Sequence, residues 1–135
     1  MNTNLKILLI EDDALGVFMF KRVVDALKQT CEFIHATDGE AALQILRDKQ
    51  FFPDLIFSDL NMPGINGIDF LTILKMDSVL KYIPVVILTT SSNQKDVRIC
   101  YEKGIAGYVL KPLKYEDYTI KIDRVLNYWK MNELL

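Results

Sequence analysis

Several features are scarce in this 135-residue sequence, and each scarcity excludes something. Cysteine occurs twice, at Cys31 and Cys100, far apart and without metal-ligand spacing. That argues against a disulfide-stapled framework and against a zinc fold. Both thiols are expected to be buried in a reducing cytoplasm, with no bridge between them. Histidine occurs once, at His35, with no polar cluster beside it in the sequence, and is read as structural. No apolar run exceeds five residues, far short of the roughly 20 needed to cross a bilayer, so no membrane span is expected. Residues 1–6 lead into no apolar h-region, and no secretory signal is expected. Basic charge is not in excess either: 16 Lys and Arg are scattered among 18 Asp and Glu, for a net charge of −2. A phosphate-backbone binder shows a basic face, so nucleic acid is not the expected partner.

What is present is a half-hydrophobic chain, enough for a core at this length, with no low-complexity stretch. A single domain over residues 1–135 is expected, with its core at about 4–130. Four-residue aliphatic runs at 7–10 and 85–88, and shorter ones at 55–57 and 108–110, are too short for buried helices and read as buried strands. Residues 33–36 are a weaker fifth candidate. Between them the apolar period lengthens to about 3.6. The stripes are Val17, Phe20, Val24 and Leu27; Ala41, Leu43 and Leu46; Phe70, Leu71 and Leu74; Val97, Cys100 and Tyr101; and Tyr118, Ile122, Val125, Leu126 and Trp129. Turn chemistry falls at Asp38-Gly39, Pro63-Gly64 and Asn66-Gly67, and Ser91-Ser92-Asn93 reads as a helix cap. Five strands alternating with five helices predict an α/β fold, a doubly wound parallel sheet of five strands. A ligand then binds outside the carboxyl ends of the strands.

Those ends carry the chemistry. Glu11, Asp12 and Asp13 follow the first run, and Ser58, Asp59, Leu60 and Asn61 the third. Thr89 ends the fourth, and Lys111-Pro112 the fifth. Each has a plain alternative: an acidic helix cap, a turn aspartate, a strand-end hydroxyl, a solvated lysine. Their coincidence at four separate strand ends favours a joint site. Two carboxylates about 4 Å apart cost about 4 kcal/mol at an effective dielectric of about 20. The Lys111 ammonium and a hard divalent cation are the natural compensators, and Mg²⁺ suits one or two carboxylates plus waters and phosphate oxygens. Such a site is suited to accepting a phosphoryl group on an aspartate oxygen.

These residues resemble the receiver domain of two-component response regulators, and the resemblance covers essentially the whole chain. Ile7-Leu8-Leu9-Ile10-Glu11-Asp12-Asp13 resembles the family's opening strand and acid pocket. Asp54-Leu55-Ile56-Phe57-Ser58-Asp59-Leu60-Asn61-Met62-Pro63-Gly64 resembles its phosphorylation strand and loop. Pro84-Val85-Val86-Ile87-Leu88-Thr89 and Gly107-Tyr108-Val109-Leu110-Lys111-Pro112 resemble its threonine and lysine strands. The separations, 30 residues from Asp59 to Thr89 and 22 from Thr89 to Lys111, are of the family's size. Position 90 departs from it, being Thr where the family often has Ala.

The resemblance implies a flavodoxin- or CheY-like fold and a cytoplasmic signalling protein that is not an enzyme. It implies Asp59 as phosphoacceptor, a Mg²⁺ site from Glu11, Asp12, Asp59 and the Asn61 carbonyl, and Thr89 and Lys111 as partners of the phosphoryl group. Asp13 is expected outside the pocket. Thr89 and Tyr108 are implied as a switch acting on the face of the fourth helix, fifth strand and fifth helix, where Ile99 is a candidate contact for an unknown downstream protein. The implied donor is a sensor histidine kinase or phosphotransfer protein. Only residues 131–135 follow the fifth helix, so no output domain is expected. Thr89-Thr90-Ser91-Ser92-Asn93, Cys100-Tyr101 and Tyr128-Trp129 further resemble small regulators serving phytochrome-type kinases.

Two rivals compete. A haloacid-dehalogenase-type phosphatase needs Asp-x-Asp, but position 61 is Asn, which cannot transfer a proton. A flavodoxin-like cofactor binder needs a phosphate loop after the first strand, where three acids stand instead. Helical periodicity adds one expectation. Leu15, Phe18, Met19 and Arg22 fall opposite the core stripe of the first helix, as a kinase-docking face or, alternatively, a contact with a homodimer mate or neighbouring loops.

Overall fold

The computed structural model describes residues 4–27, 31–48 and 51–135; residues 1–3 of the segment read for a signal lie outside it. Strand β1 (Leu5–Ile10) is followed by α1 (Ala14–Leu27), β2 (Cys31–Ala36), α2 (Gly39–Arg47), β3 (Leu55–Ser58) and α3 (Gly67–Lys75). A 3₁₀ turn (Leu80–Tyr82) then leads to β4 (Val85–Thr89), α4 (Gln94–Glu102), β5 (Gly107–Leu110) and α5 (Tyr115–Lys130). The strands pair in parallel in the order β2-β1-β3-β4-β5. The order reverses between β1 and β3, so the crevice of the switch point opens beyond Ile10 and Ser58.

Strand alternation divides the core into two layers. Leu8, Ile10, Ile56, Val85 and Ile87 pack against α2, α3 and α4. Leu5, Ile7, Leu9, Leu55, Phe57, Val86 and Leu88 pack against α1 and α5. Both faces being covered, the strands read as unbroken aliphatic runs. Phe20 anchors the second layer, edge-on to Phe33 at 5.7 Å and to Phe57 at 5.2 Å. Cys100 lies in the first layer and Cys31 against the second, so the sheet separates the two free thiols.

Some sequence expectations need correction. Tyr101 is exposed rather than part of the α4 core stripe, in which only Cys100 is fully buried. Cys31 is half-buried, not buried. Val23 and Ala42 are buried core residues that the stripes omitted. Asp38 and Asn66 are helix N-caps rather than turn residues: their side chains accept from Ala41 N at 2.8 Å and Asp69 N at 2.9 Å. Pro63-Gly64 lies in a bend, with Gly64 at φ 72°. Asn93 caps α4, as its sequence context implies.

Candidate functional site

The carboxyl edge of the sheet collects acids because β1 and β3 end side by side. Asp59 N–H donates to the Ile10 carbonyl at 3.0 Å, extending the β1–β3 ladder by one step and seating Asp59 beside Glu11. Glycines then let two helices close in. A Cβ on Gly67 would collide with the Asp59 carbonyl oxygen, and one on Gly16 with Glu11 Oε1. Only a residue without a side chain brings the start of α3 and the first turn of α1 so near.

One oxygen from each of Glu11, Asp12 and Asp59 lies within 4.8 Å of the others. Asp12 is exposed and Asp59 partly so, but Glu11 is only 4% exposed. Lys111 Nζ donates to Glu11 Oε1 at 2.8 Å and stands 3.9 Å from Asp59 Oδ2. Asp59 Oδ1 accepts from Leu60 N at 2.7 Å. Burial pushes the Glu11 carboxyl up from 4.5 to about 7; the Lys111 bond opposes that rise and Asp59 adds to it. Glu11 Oε2 is buried with no hydrogen-bond partner among the described residues. An orphaned carboxylate oxygen beside two further carboxylates, in an all-oxygen donor set, fits a hard divalent cation and its waters.

The remaining residues distribute as follows. Asn61 is exposed, two positions beyond Asp59. Asp13 is exposed and caps α1, its Oδ1 accepting from Leu15 N at 3.1 Å, outside the carboxylate cluster. Thr89 is 1% exposed; its Oγ1 accepts from Ser91 N at 3.3 Å and its carbonyl from Lys111 N at 2.8 Å. The Tyr108 ring packs against the α3–α4 layer and its hydroxyl donates to the Ser91 carbonyl at 2.8 Å. Leu15 and Phe18 are 65% and 59% exposed, and Met19 is half-buried. Arg22 is exposed but not idle: its guanidinium lies 5.0 Å over the Tyr115 ring, tying α1 to the start of α5.

Three residues escaped the sequence reading. His35 was expected to have no polar cluster near it, yet its Nε2 lies 2.7 Å from the Glu11 carbonyl oxygen. The parallel register that pairs His35 with Leu9 brings it there, and register is not visible in a sequence. Leu113 is fully exposed two residues after Lys111, a lone apolar residue between Pro112 and Lys114. Ser91 bonds to both Thr89 and Tyr108, and its reading as part of a helix cap gives no sign of the second bond.

Residues 7–123 match the family described as the response regulator receiver domain. The chain is similar to chemotaxis protein CheY-3 of Vibrio cholerae, 31% identical over 128 residues, which cover 93% of this chain and 94% of that protein. Among solved structures, the phosphorylated cyanobacterial phytochrome response regulator RcpA superposes with a TM-score of 0.90 at 28% identity, covering 97% of this chain and 98% of that one. The Mn²⁺-bound form of response regulator Rcp1, a name borne by a Synechocystis protein, gives 0.88 at 31% identity over 97% and 99%.

Proposed function

This chain belongs to the response-regulator receiver family of two-component signalling, and from that premise we propose that Asp59 is its phosphoacceptor. The observation that carries the reading is the cluster itself. Three carboxylates lie within 4.8 Å, with the Lys111 ammonium 2.8 Å from Glu11 and 3.9 Å from Asp59. Asp59 Oδ1 is held by Leu60 N–H, which leaves Oδ2, on the Lys111 side, as the attacking oxygen. In the proposed step Oδ2 forms a bond to phosphorus as the bond from phosphorus to the donor's histidine nitrogen breaks. The histidine leaves neutral after taking up a proton, and an acyl phosphate remains on Asp59.

Asp12, Asp59 and the Asn61 carbonyl would hold Mg²⁺, with Glu11 acting through water. The ion would supply positive charge to the carboxylates and to the incoming phosphoryl oxygens. The similar regulator Rcp1 takes a Mn²⁺-bound form, which supports a divalent ion here. Lys111 donates to a phosphoryl oxygen in the proposed product, and the Thr89 hydroxyl turns towards another. Tyr108, bonded to the Ser91 carbonyl, responds to that turn.

Receiver domains are signalling domains rather than turnover enzymes, and Asn61 supports that for this chain, since an amide offers no base to hasten hydrolysis. The proposed donor is a sensor histidine kinase or phosphotransfer protein in the cytoplasm, docking on Leu15, Phe18, Met19 and Arg22. The likeness to RcpA makes a phytochrome-type kinase the first donor to test. The proposed output is contact with a downstream protein through α4, β5 and α5, or with a second copy of the chain. Incubation with acetyl phosphate and Mg²⁺ should add one phosphoryl group, labile to hydroxylamine and absent in the presence of EDTA. Labelling that resists hydroxylamine would place the group on a different kind of residue.

A further inference from the structure

Ser91 lies in the loop between β4 and α4 and bonds in three directions. Its N–H donates to Thr89 Oγ1 at 3.3 Å, towards the site. Its carbonyl accepts from the Tyr108 hydroxyl at 2.8 Å, towards β5. Its own hydroxyl donates to Asp96 Oδ2 at 3.0 Å, in the first turn of α4, and accepts from the N–H of the cap residue Asn93 at 3.4 Å. The Asn93 cap bond to Lys95 N stays within the helix end and reaches neither Thr89 nor Tyr108.

We propose that Ser91 is a positioning residue whose hydroxyl, bonded to Asp96, couples Thr89 and Tyr108 to the first turn of α4. This role rests on the reading of Asp59 as phosphoacceptor. The Thr89 side chain is buried, and its hydroxyl accepts from the Ser91 amide. Turning it towards a phosphoryl oxygen on Asp59 takes the acceptor away from that amide. Ser91 is half-buried, and an amide left there without an acceptor is costly, so the loop moves with the hydroxyl. Movement at Ser91 displaces the acceptor of Tyr108 and pulls on Asp96 together. The Ser91–Asp96 bond is strengthened by the carboxylate charge and passes the pull to the helix. Without it the loop would move and leave α4 where it was. The phosphoryl group biases a two-state arrangement, and Ser91 determines which elements belong to it.

The test follows backbone amide shifts by NMR on adding acetyl phosphate and Mg²⁺ to the full chain and to Ser91→Ala, Asp96→Ala and Ser91→Thr. In Ser91→Ala and Asp96→Ala, Asp59 should label at a rate within about twofold of wild type, and the amides of Thr89 and residue 91 should shift as before. The shifts across Gln94–Glu102 should fall by more than half, and Ser91→Thr, which keeps the hydroxyl, should restore them. The double variant Ser91→Ala/Asp96→Ala should lose no more than either single one. A merely structural role would alter the spectrum before labelling without altering the response to it. Normal labelling with a full α4 response in Ser91→Ala and Asp96→Ala would overturn this proposal alone. Failure of the wild-type chain to label would overturn the phosphoacceptor reading and this proposal with it. If Ser91→Ala does not fold, Asp96→Ala carries the same test from the other side of the bond.

Discussion

Lys111 donates to Glu11 Oε1 at 2.8 Å, joining the ends of the first and fifth strands across 100 residues of chain. The bond secures one oxygen of a buried carboxylate, and the other, Oε2, has no partner among the described residues. Burial therefore holds the Glu11 proton more tightly than that of a free carboxyl.

The folded Glu11 carboxyl keeps its proton up to about pH 7, whereas a free one loses it near 4.5. Between those values the folded state binds more protons than the unfolded, so metal-free stability should fall as pH rises from about 4.5 to about 7. The loss should be about 3 kcal/mol. Urea melts across that range in EDTA should show the slope, and Glu11→Gln should flatten it. A slope that survives the substitution belongs to another group.

Gly16→Ala should disturb the site without touching a charge. The added methyl would collide with Glu11 Oε1 and displace the carboxylate. Mg²⁺ affinity, followed by NMR shifts at Asp12 and Asn61, should drop several-fold. Asp12→Ala should weaken it more, by tenfold or so, while raising metal-free stability slightly, by less than about 1 kcal/mol, because the carboxylates repel. Unchanged affinity in Asp12→Ala would remove Asp12 from the ligand set.

Phe18→Asp should slow transfer from a cognate kinase at least tenfold and leave acetyl phosphate labelling intact. Arg22→Ala should act more weakly on transfer and cost about 0.5–1 kcal/mol of stability through loss of its contact with Tyr115. Equal transfer rates in all three proteins would take α1 out of the docking surface.

Thr89→Ala should still accept a phosphoryl group, because the proposed attacking oxygen belongs to Asp59. The buried hydroxyl that faces Ser91 would be gone, and with it the response at Tyr108. NMR of labelled Thr89→Ala should show no shift at Tyr108, and a wild-type shift there would contradict the coupling.

The sheet and the acid cluster were legible because both depend on local signals. Unbroken aliphatic runs mark strands covered on two faces, and residues directly after such runs stand at the carboxyl edge. Glu11, Asp12, Asp59 and Lys111 were therefore placed from position alone. Their orientation was not legible. Glu11 turns inward against Gly16, and nothing in Glu11-Asp12-Asp13 distinguishes which acid is buried. His35 reaches Glu11 only through the β1–β2 register. Tyr101 misled because α4 spans only nine residues, and three apolar positions define a face poorly over so short a length. Ser91 reads as part of a cap; its bond to Thr89 is local, but its bond to Tyr108 comes from tertiary placement.

A single phosphoryl group is expected to enter the chain, at Asp59. Intact-mass spectrometry after acetyl phosphate and Mg²⁺ tests it most directly, on wild type and Asp59→Asn in parallel, with circular dichroism to show that both are folded. The wild-type chain should gain the mass of a single phosphoryl group, and Asp59→Asn should gain none. Equal labelling of a folded Asp59→Asn would contradict the account.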